Sequence, residues 1–308
     1  MSLIAGWAFG WLASPLRAWG TAPKLRLALL ADAHLKNGHN RSPEAQALAR
    51  AVAEISFLSE PPDLVLFAGD LAHKGRPDAL DLGREILSGL TAPVWAVRGE
   101  GDCGRGGVEP WVRRFGLPSF SRRYRGVNFL GLDTARCKTH CGPAFELGAA
   151  QRQWLLQELA RLDSDTPLVI ISHAPLPRIF YPWQQWTRDA MDIAPLLGRF
   201  SRLLCLHGHV HGTGVVNAGA SKAGIWSQWP VASIGNDGWE VSFTANRQPP
   251  TATRLLSISL PASAWPCPQP IQGTPAILRP GLGPRNCGWG LVTLGPMGLD
   301  FQPRLWQA

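Results

Sequence analysis

Six apolar runs of strand length, most of them separated by stretches of helical periodicity, constrain this chain more than any other feature. They are Leu25 to Leu30 (LRLALL), Asp63 to Ala68 (DLVLFA), Pro93 to Val97 (PVWAV), Phe129 to Asp133 (FLGLD), Leu168 to Ile171 (LVII) and Leu203 to Leu206. Runs that are continuously apolar, rather than alternating, belong to sheets covered on both faces. Between them, Ser42-Pro43-Glu44 opens a helix, with Ser as cap and Pro in the first turn. Ala47, Leu48, Val52, Ile55 and Phe57 then keep roughly helical spacing. A second helix is expected near Pro77 to Leu90, and a third from Leu147 to Leu162 with Trp154, Leu155 and Leu159 on its apolar side. Strand, helix, strand, repeated in this way, implies an α/β fold with parallel pairing and right-handed crossovers.

Five of the runs exit into side chains able to hold a metal. The first gives Asp32 and His34, the second Asp70, the third Glu100, the fifth His173, and the sixth His209 and His211 within LHGHVHG. The carboxyl ends of strands are where open α/β sheets place their ligands. Mixed carboxylate and imidazole donors suit Mn, Fe or Zn better than an all-oxygen cage for Ca or Mg. Seven groups are more than one ion needs. Two ions about 3.5–4 Å apart, bridged by one carboxylate, can clamp both the attacking and the leaving oxygen of a phosphate ester.

In order, the motifs are Asp-x-His, Gly-Asp, Gly-Glu-Gly-Asp, a lone His, and Gly-His-x-His, spread from Leu25 to Gly212. They resemble the calcineurin-like metallophosphoesterase family, and FELGAAQRQWLLQEL resembles a helix of its cyclic-nucleotide phosphodiesterase-like branch. The protein Ser/Thr phosphatase branch has GDxVDRG where this chain has Gly69-Asp70-Leu71-Ala72-His73-Lys74-Gly75, which argues against that branch. The resemblance implies a four-layer α/β/β/α sandwich with mixed sheets and the metal site at the strand ends. It also implies two divalent ions, Mn, Fe or Zn: Asp32, His34 and His211 on the first, Asp70 bridging, and Glu100, His173 and His209 on the second. Asp70, Asp32 and His209 are then the central catalytic groups, and a hydroxide held between the ions attacks a phosphomonoester or phosphodiester.

One motif departs from the family. Where the family has Asn followed by His, this chain has Glu100 followed by Gly101. Glu keeps an oxygen near the second ion but adds charge. Gly cannot help stabilise the phosphate or protonate the leaving group, an aid typically worth about 10²–10⁴-fold. Asp102, His73, His39 and His140 are the candidates to substitute. The departure also motivates an alternative: a catalytically impaired metal-binding relative with a binding or structural role.

The net charge of +8 suits an anionic substrate, but the excess is scattered Arg without a basic block. A small phosphoester is therefore the expected partner rather than nucleic acid, and nothing indicates a protein partner. Leu3 to Leu16 is apolar but too short for the roughly 20 residues of a membrane span. It reads as the core of an export signal or as a packed first helix; export, to the periplasm, is favoured over a cytoplasmic place. The expected division is a leader or helix at 1–22, the metallophosphoesterase domain at 23–243, and at 244–308 a Pro/Gly-rich extension with a closing hairpin, packed on the same domain. Within the last part, Arg247 to Cys287 reads as irregular, and Gly288 to Leu294 with Gly298 to Phe301 as the hairpin. Val231 to Ile234 and Trp239 to Phe243 suggest further antiparallel strands. Cys205 is expected to be an inert core thiol, whereas Cys137 with Cys141, and Cys267 with Cys287, would be disulfides if the protein is exported. Tyr181 to Trp186 reads either as a substrate-facing loop or as packing.

Overall fold

The computed structural model describes residues 24–135, 145–176, 186–211, 214–219, 254–263, 286–295 and 298–307. The leader, Cys137, Cys141, Cys267, most of Tyr181 to Trp186, and the strands expected at 231–234 and 239–243 lie outside the described residues.

Among the described residues the chain forms two sheets. Strands β1 (Leu25–Leu30), β2 (Leu64–Ala68) and β3 (Val94–Val97) run parallel. The closing hairpin, β10 (Asn286–Gly295) and β11 (Gly298–Gln307), joins them through antiparallel pairing of β10 with β1. The second sheet contains β4 (Phe120–Tyr124), β5 (Val127–Leu132), β6 (Leu168–Ser172), β7 (Arg202–His207), β8 (Gly214–Gly219) and β9 (Arg254–Ser259) in the order β4-β5-β6-β7-β9-β8. Both sheets are mixed, and β5, β6, β7 and β9 are mutually parallel.

The residues between the sheets explain why the strands read as unbroken apolar runs. Leu27, Leu29, Leu66 and Val97 pack in one buried cluster with Phe129, Ile171, Leu204 and Leu206. The alternate residues Ala28, Leu30, Val65 and Phe67 face α1 (Pro43–Ser56) and α2 (Pro77–Leu87). On the outside of the second sheet, Leu130, Ile170 and Leu203 pack with Leu155 and Leu159 of α4 (Gly148–Arg161) and Leu197 of the short α5 (Ala194–Leu197). The result is the expected α/β/β/α sandwich. The helix α3 (Glu109–Phe115) completes the first outer layer through buried Trp111.

Ser42 accepts the capping bond from the Ala45 N–H at 3.3 Å, and Pro43 occupies the first turn of α1. The helix stops at Ser56, so Phe57 is no part of its apolar face and is 88% exposed. The extension expected to be irregular contains β9, a strand between β7 and β8. Its run RLLSIS was masked by the Pro- and Gly-rich segments on either side. The Trp289 indole N–H donates to Glu54 at 2.9 Å, and the Arg50 guanidinium lies 4.6 Å over the Trp306 ring. Two of the many tryptophans thus pin the closing hairpin to α1.

Candidate metal centre

The carboxyl ends of β1, β2 and β3 in one sheet meet those of β6 and β7 in the other. All seven residues singled out from the sequence converge there. Asp32, His34 and His211 form one group of donor atoms, and Glu100, His173 and His209 a second; within each, the atoms lie within 4.8 Å of one another. The His34 and His211 Nε2 atoms are 3.1 Å apart, and His211 Nε2 lies 3.3 Å from Asp32 Oδ1. In the second group Glu100 reaches His173 Nε2 at 2.8 Å with one oxygen and His209 Nδ1 at 2.9 Å with the other. Asp70 stands between them, one oxygen 3.6 Å from His34 and the other 3.5 Å from His173.

The loops that present these groups are held in an uncommon conformation. Asp32, His34, Asp70, His209 and His211 all have φ between 47° and 67°, the left-handed region. For a residue with a Cβ such a conformation costs on the order of 1–3 kcal/mol and persists only where its surroundings over-determine it. Here the backbone is tied loop to loop. Asp32 N–H donates to Gly69 O and His34 N–H to Asp70 O, both at 2.9 Å. His209 N–H donates to the Asp32 carboxylate at 3.0 Å.

The third motif is built around Asp102, whose importance the sequence did not reveal. Its carboxylate is buried and accepts the N–H groups of Asp70, Ala72 and Gly99 at 2.9, 2.8 and 2.9 Å. It therefore fixes the backbone of the Asp70 loop to that of the Glu100 loop. Burial, aided by the Asp70 charge, pushes its carboxyl up to about 8, against the pull of those backbone donors. Both of its oxygens are occupied by this structural task. Close by, Gly101 N–H donates to Asp70 Oδ1 at 2.6 Å. Phe145 is a second residue without a sequence signal: its ring packs 4.4 Å from that of His209.

The electrostatics favour a cation. Burial raises Asp32, yet His211, His173 and His34 outweigh it and hold the carboxyl below its ordinary range. Burial likewise opposes ionisation of Glu100, but His209 and His173 hold it well below that range. Burial disfavours a charge on His173, yet Asp70 and Glu100 raise its pKa well above that of an ordinary imidazole. For His34 burial dominates and lowers the pKa. The His173 Nδ1 lies 2.7 Å from Ala68 O, which suits a donor there and leaves Nε2 free to face the carboxylates. Glu100 Oε2 and His173 Nε2 are buried with only each other at 2.8 Å, and His209 Nε2 is buried without a hydrogen-bond partner. Such an orphan is rare unless something absent from the protein satisfies it. The residues fit a pair of divalent ions: three carboxylates and four imidazoles, arranged in two clusters with one carboxylate between.

Fold and centre together define an α/β/β/α sandwich with a two-ion type of site at its strand ends. Residues 25–213 match the calcineurin-like phosphoesterase family. The chain belongs to that family, whose fold and chemistry are dimetal-dependent. A cAMP/cGMP dual specificity phosphodiesterase of Mycobacterium tuberculosis is 28% identical over 207 residues, 61% of this chain and 62% of that protein. A probable glycerophosphodiester phosphodiesterase of Arcobacter nitrofigilis is 25% identical over 197 residues, 59% of this chain and 70% of the other. The chain thus spans under two thirds of the first relative's length. Among solved structures, a dimetal phosphatase from Danio rerio shares the fold with a TM-score of 0.57 at 12% identity, over 91% of this chain and 99% of that one. No helix among the described residues is long and apolar enough to cross a membrane.

Proposed function

We propose that this protein is a dinuclear metal-dependent hydrolase of phosphoric esters, acting on a small phosphodiester. One observation carries the reading: Asp70 offers one oxygen to the cluster of Asp32, His34 and His211 and the other to the cluster of Glu100, His173 and His209. In that reading Asp32, His34 and His211 would hold the first ion and Glu100, His173 and His209 the second, with Asp70 placed to serve both. Two bound divalent ions supply Lewis acidity and lower the pKa of water toward neutrality. The chain's own residues do the remaining work. Asp102 and the Gly101 N–H fix the orientation of the Asp70 carboxylate, and Asp32 fixes the His209 loop through its backbone N–H. Phe145 packs its ring against that of His209, with centroids 4.4 Å apart. The relatives named as phosphodiesterases support a diester as substrate, and mixed oxygen and nitrogen donors support Mn, Fe or Zn.

Gly101 favours the second reading, a metal-binding relative without turnover. Against it stands Glu100, which keeps two oxygens within 2.8 and 2.9 Å of the two imidazoles and so preserves the donor set. The test is turnover of bis(p-nitrophenyl) phosphate by purified protein, with and without Mn, beside Asp70→Asn. Metal-dependent hydrolysis lost in the variant is expected. Bound metal without hydrolysis is the outcome the second reading requires.

A further inference from the structure

The family's third-motif histidine has no counterpart at Gly101, yet expulsion of an alkoxide from phosphorus gains about 10²–10⁴-fold from a placed proton donor. The imidazoles at the strand ends are already committed: His34, His173, His209 and His211 belong to the two donor clusters. His207 is buried, and burial lowers its pKa to about 4. Asp102 is bound by three backbone N–H groups. His39 belongs to a loop whose neighbour Gly38 is fastened to Asp78 in the first turn of α2, and no contact joins His39 to Gly101 among the described residues. His140 lies outside the described residues.

Among the described residues, a turn with a titratable side chain stands directly beside Gly101. The Ala72 carbonyl oxygen is 2.8 Å from the position a Gly101 Cβ would take, and Gly75 N–H donates to Gly101 O at 2.7 Å. The turn of residues 72–75 therefore runs against Gly101 and is bonded to it at one end, through Gly75. His73 N–H donates to Leu35 O at 2.8 Å, which ties the same turn to the loop carrying His34. The His73 side chain is exposed and has no hydrogen-bond or ion-pair partner among the described residues.

Resting on the phosphoesterase reading, we propose that His73 protonates the leaving oxygen, in place of a histidine at position 101. The bond from phosphorus to the leaving oxygen breaks, and its electron pair stays on that oxygen, which takes the ring N–H proton of His73. The oxygen of the attacking water forms the new bond to phosphorus and releases its proton to solvent. His73, being exposed, regains a proton from solvent.

The test uses the metal-loaded full chain and a series of phosphodiesters with one retained group and leaving groups ranging from p-nitrophenoxide to an alkoxide. A good leaving group needs little protonation, so a lost acid shows as a steeper dependence on leaving-group pKa. His73→Gln is expected to lower the ratio of alkoxide to p-nitrophenoxide turnover by about 10²-fold or more, with metal content and melting temperature equal to wild type. A ratio within about twofold of wild type overturns the proposal, and so does an equal fall in Lys74→Met with no fall in His73→Gln. Absence of p-nitrophenoxide release by the metal-loaded wild type instead sinks the phosphoesterase reading beneath it.

Discussion

Replacing Gly99 by Ala puts a methyl group where the bridging carboxylate lies. A Cβ at Gly99 would stand 2.0 Å from Asp70 Oδ1 and 2.8 Å from Asp70 N, whereas ordinary contact begins at 3.4 Å. The backbone nitrogen cannot retreat, because it is bonded to Asp102 at 2.9 Å. The carboxylate must therefore swing by about 1 Å, out of its 2.6 Å bond from Gly101 N–H. Metal–ligand distances tolerate only about 0.2 Å, and a misplacement of about 1 Å near reacting atoms costs about 10²-fold in rate. Overpacking of this kind adds about 1–3 kcal/mol of instability. Gly208→Ala is the milder neighbour, its Cβ 2.7 Å from Asp32 Oδ2, and Gly101→Ala the mildest, 2.8 Å from Ala72 O and 3.0 Å from Asp70 Oδ1. The expected order of damage is Gly99, then Gly208, then Gly101, read as bound metal per chain by mass spectrometry and as kcat on an aryl phosphodiester. A Gly99→Ala protein with two ions and wild-type kcat would refute the placement of Asp70. The same geometry shows why writing the family histidine back at 101 begins with a steric conflict.

Two further predictions concern stability. Asp102→Ala strands three buried N–H groups; at about 1–3 kcal/mol each, partly offset by relief of the buried carboxylate, a net loss of about 3 kcal/mol or more is expected in denaturant titration. An unchanged midpoint would contradict the role given to Asp102. Burial depresses the His207 pKa from 6.5 to about 4, so the imidazole is neutral in the folded state while the unfolded chain protonates. Its stabilising share is present above pH 6.5 and is lost as the pH falls toward 4, about 3 kcal/mol in all at 1.36 kcal/mol per unit. Metal-stripped wild type should lose that much more stability across the window than metal-stripped His207→Leu. Parallel curves would show that His207 does not carry the effect.

Much of the fold was legible because burial on two faces leaves an unmistakable pattern. Apart from Arg26, Leu25–Leu30 and Leu64–Ala68 are apolar throughout, since one set of side chains meets the other sheet and the alternate set meets helices. The edge strand β4 was not legible: Ser121, Arg122 and Arg123 are exposed, so FSRRY carries no burial signature. The hairpin could be read from its turn residues, but its pairing with β1 joins Leu25 to Leu294 and has no local signal. At the centre, the spacing of motifs on strand ends was enough to collect seven donors. What stayed hidden were groups that act through backbone amides or through packing. Asp102 is an ordinary loop carboxylate until three N–H groups, two from the Asp70 loop and one from its own, converge on it, and Phe145 acquires meaning only when His209 folds against it.

The central claim is that two ions, bridged by Asp70, make this chain a hydrolase. It is tested most directly by adding Mn in measured equivalents to metal-stripped protein while following hydrolysis of bis(p-nitrophenyl) phosphate. Activity that rises to a plateau at two equivalents per chain, and is absent at every equivalent in Asp70→Asn, is the predicted result. Saturation at a single equivalent, or full activity in Asp70→Asn, would contradict it.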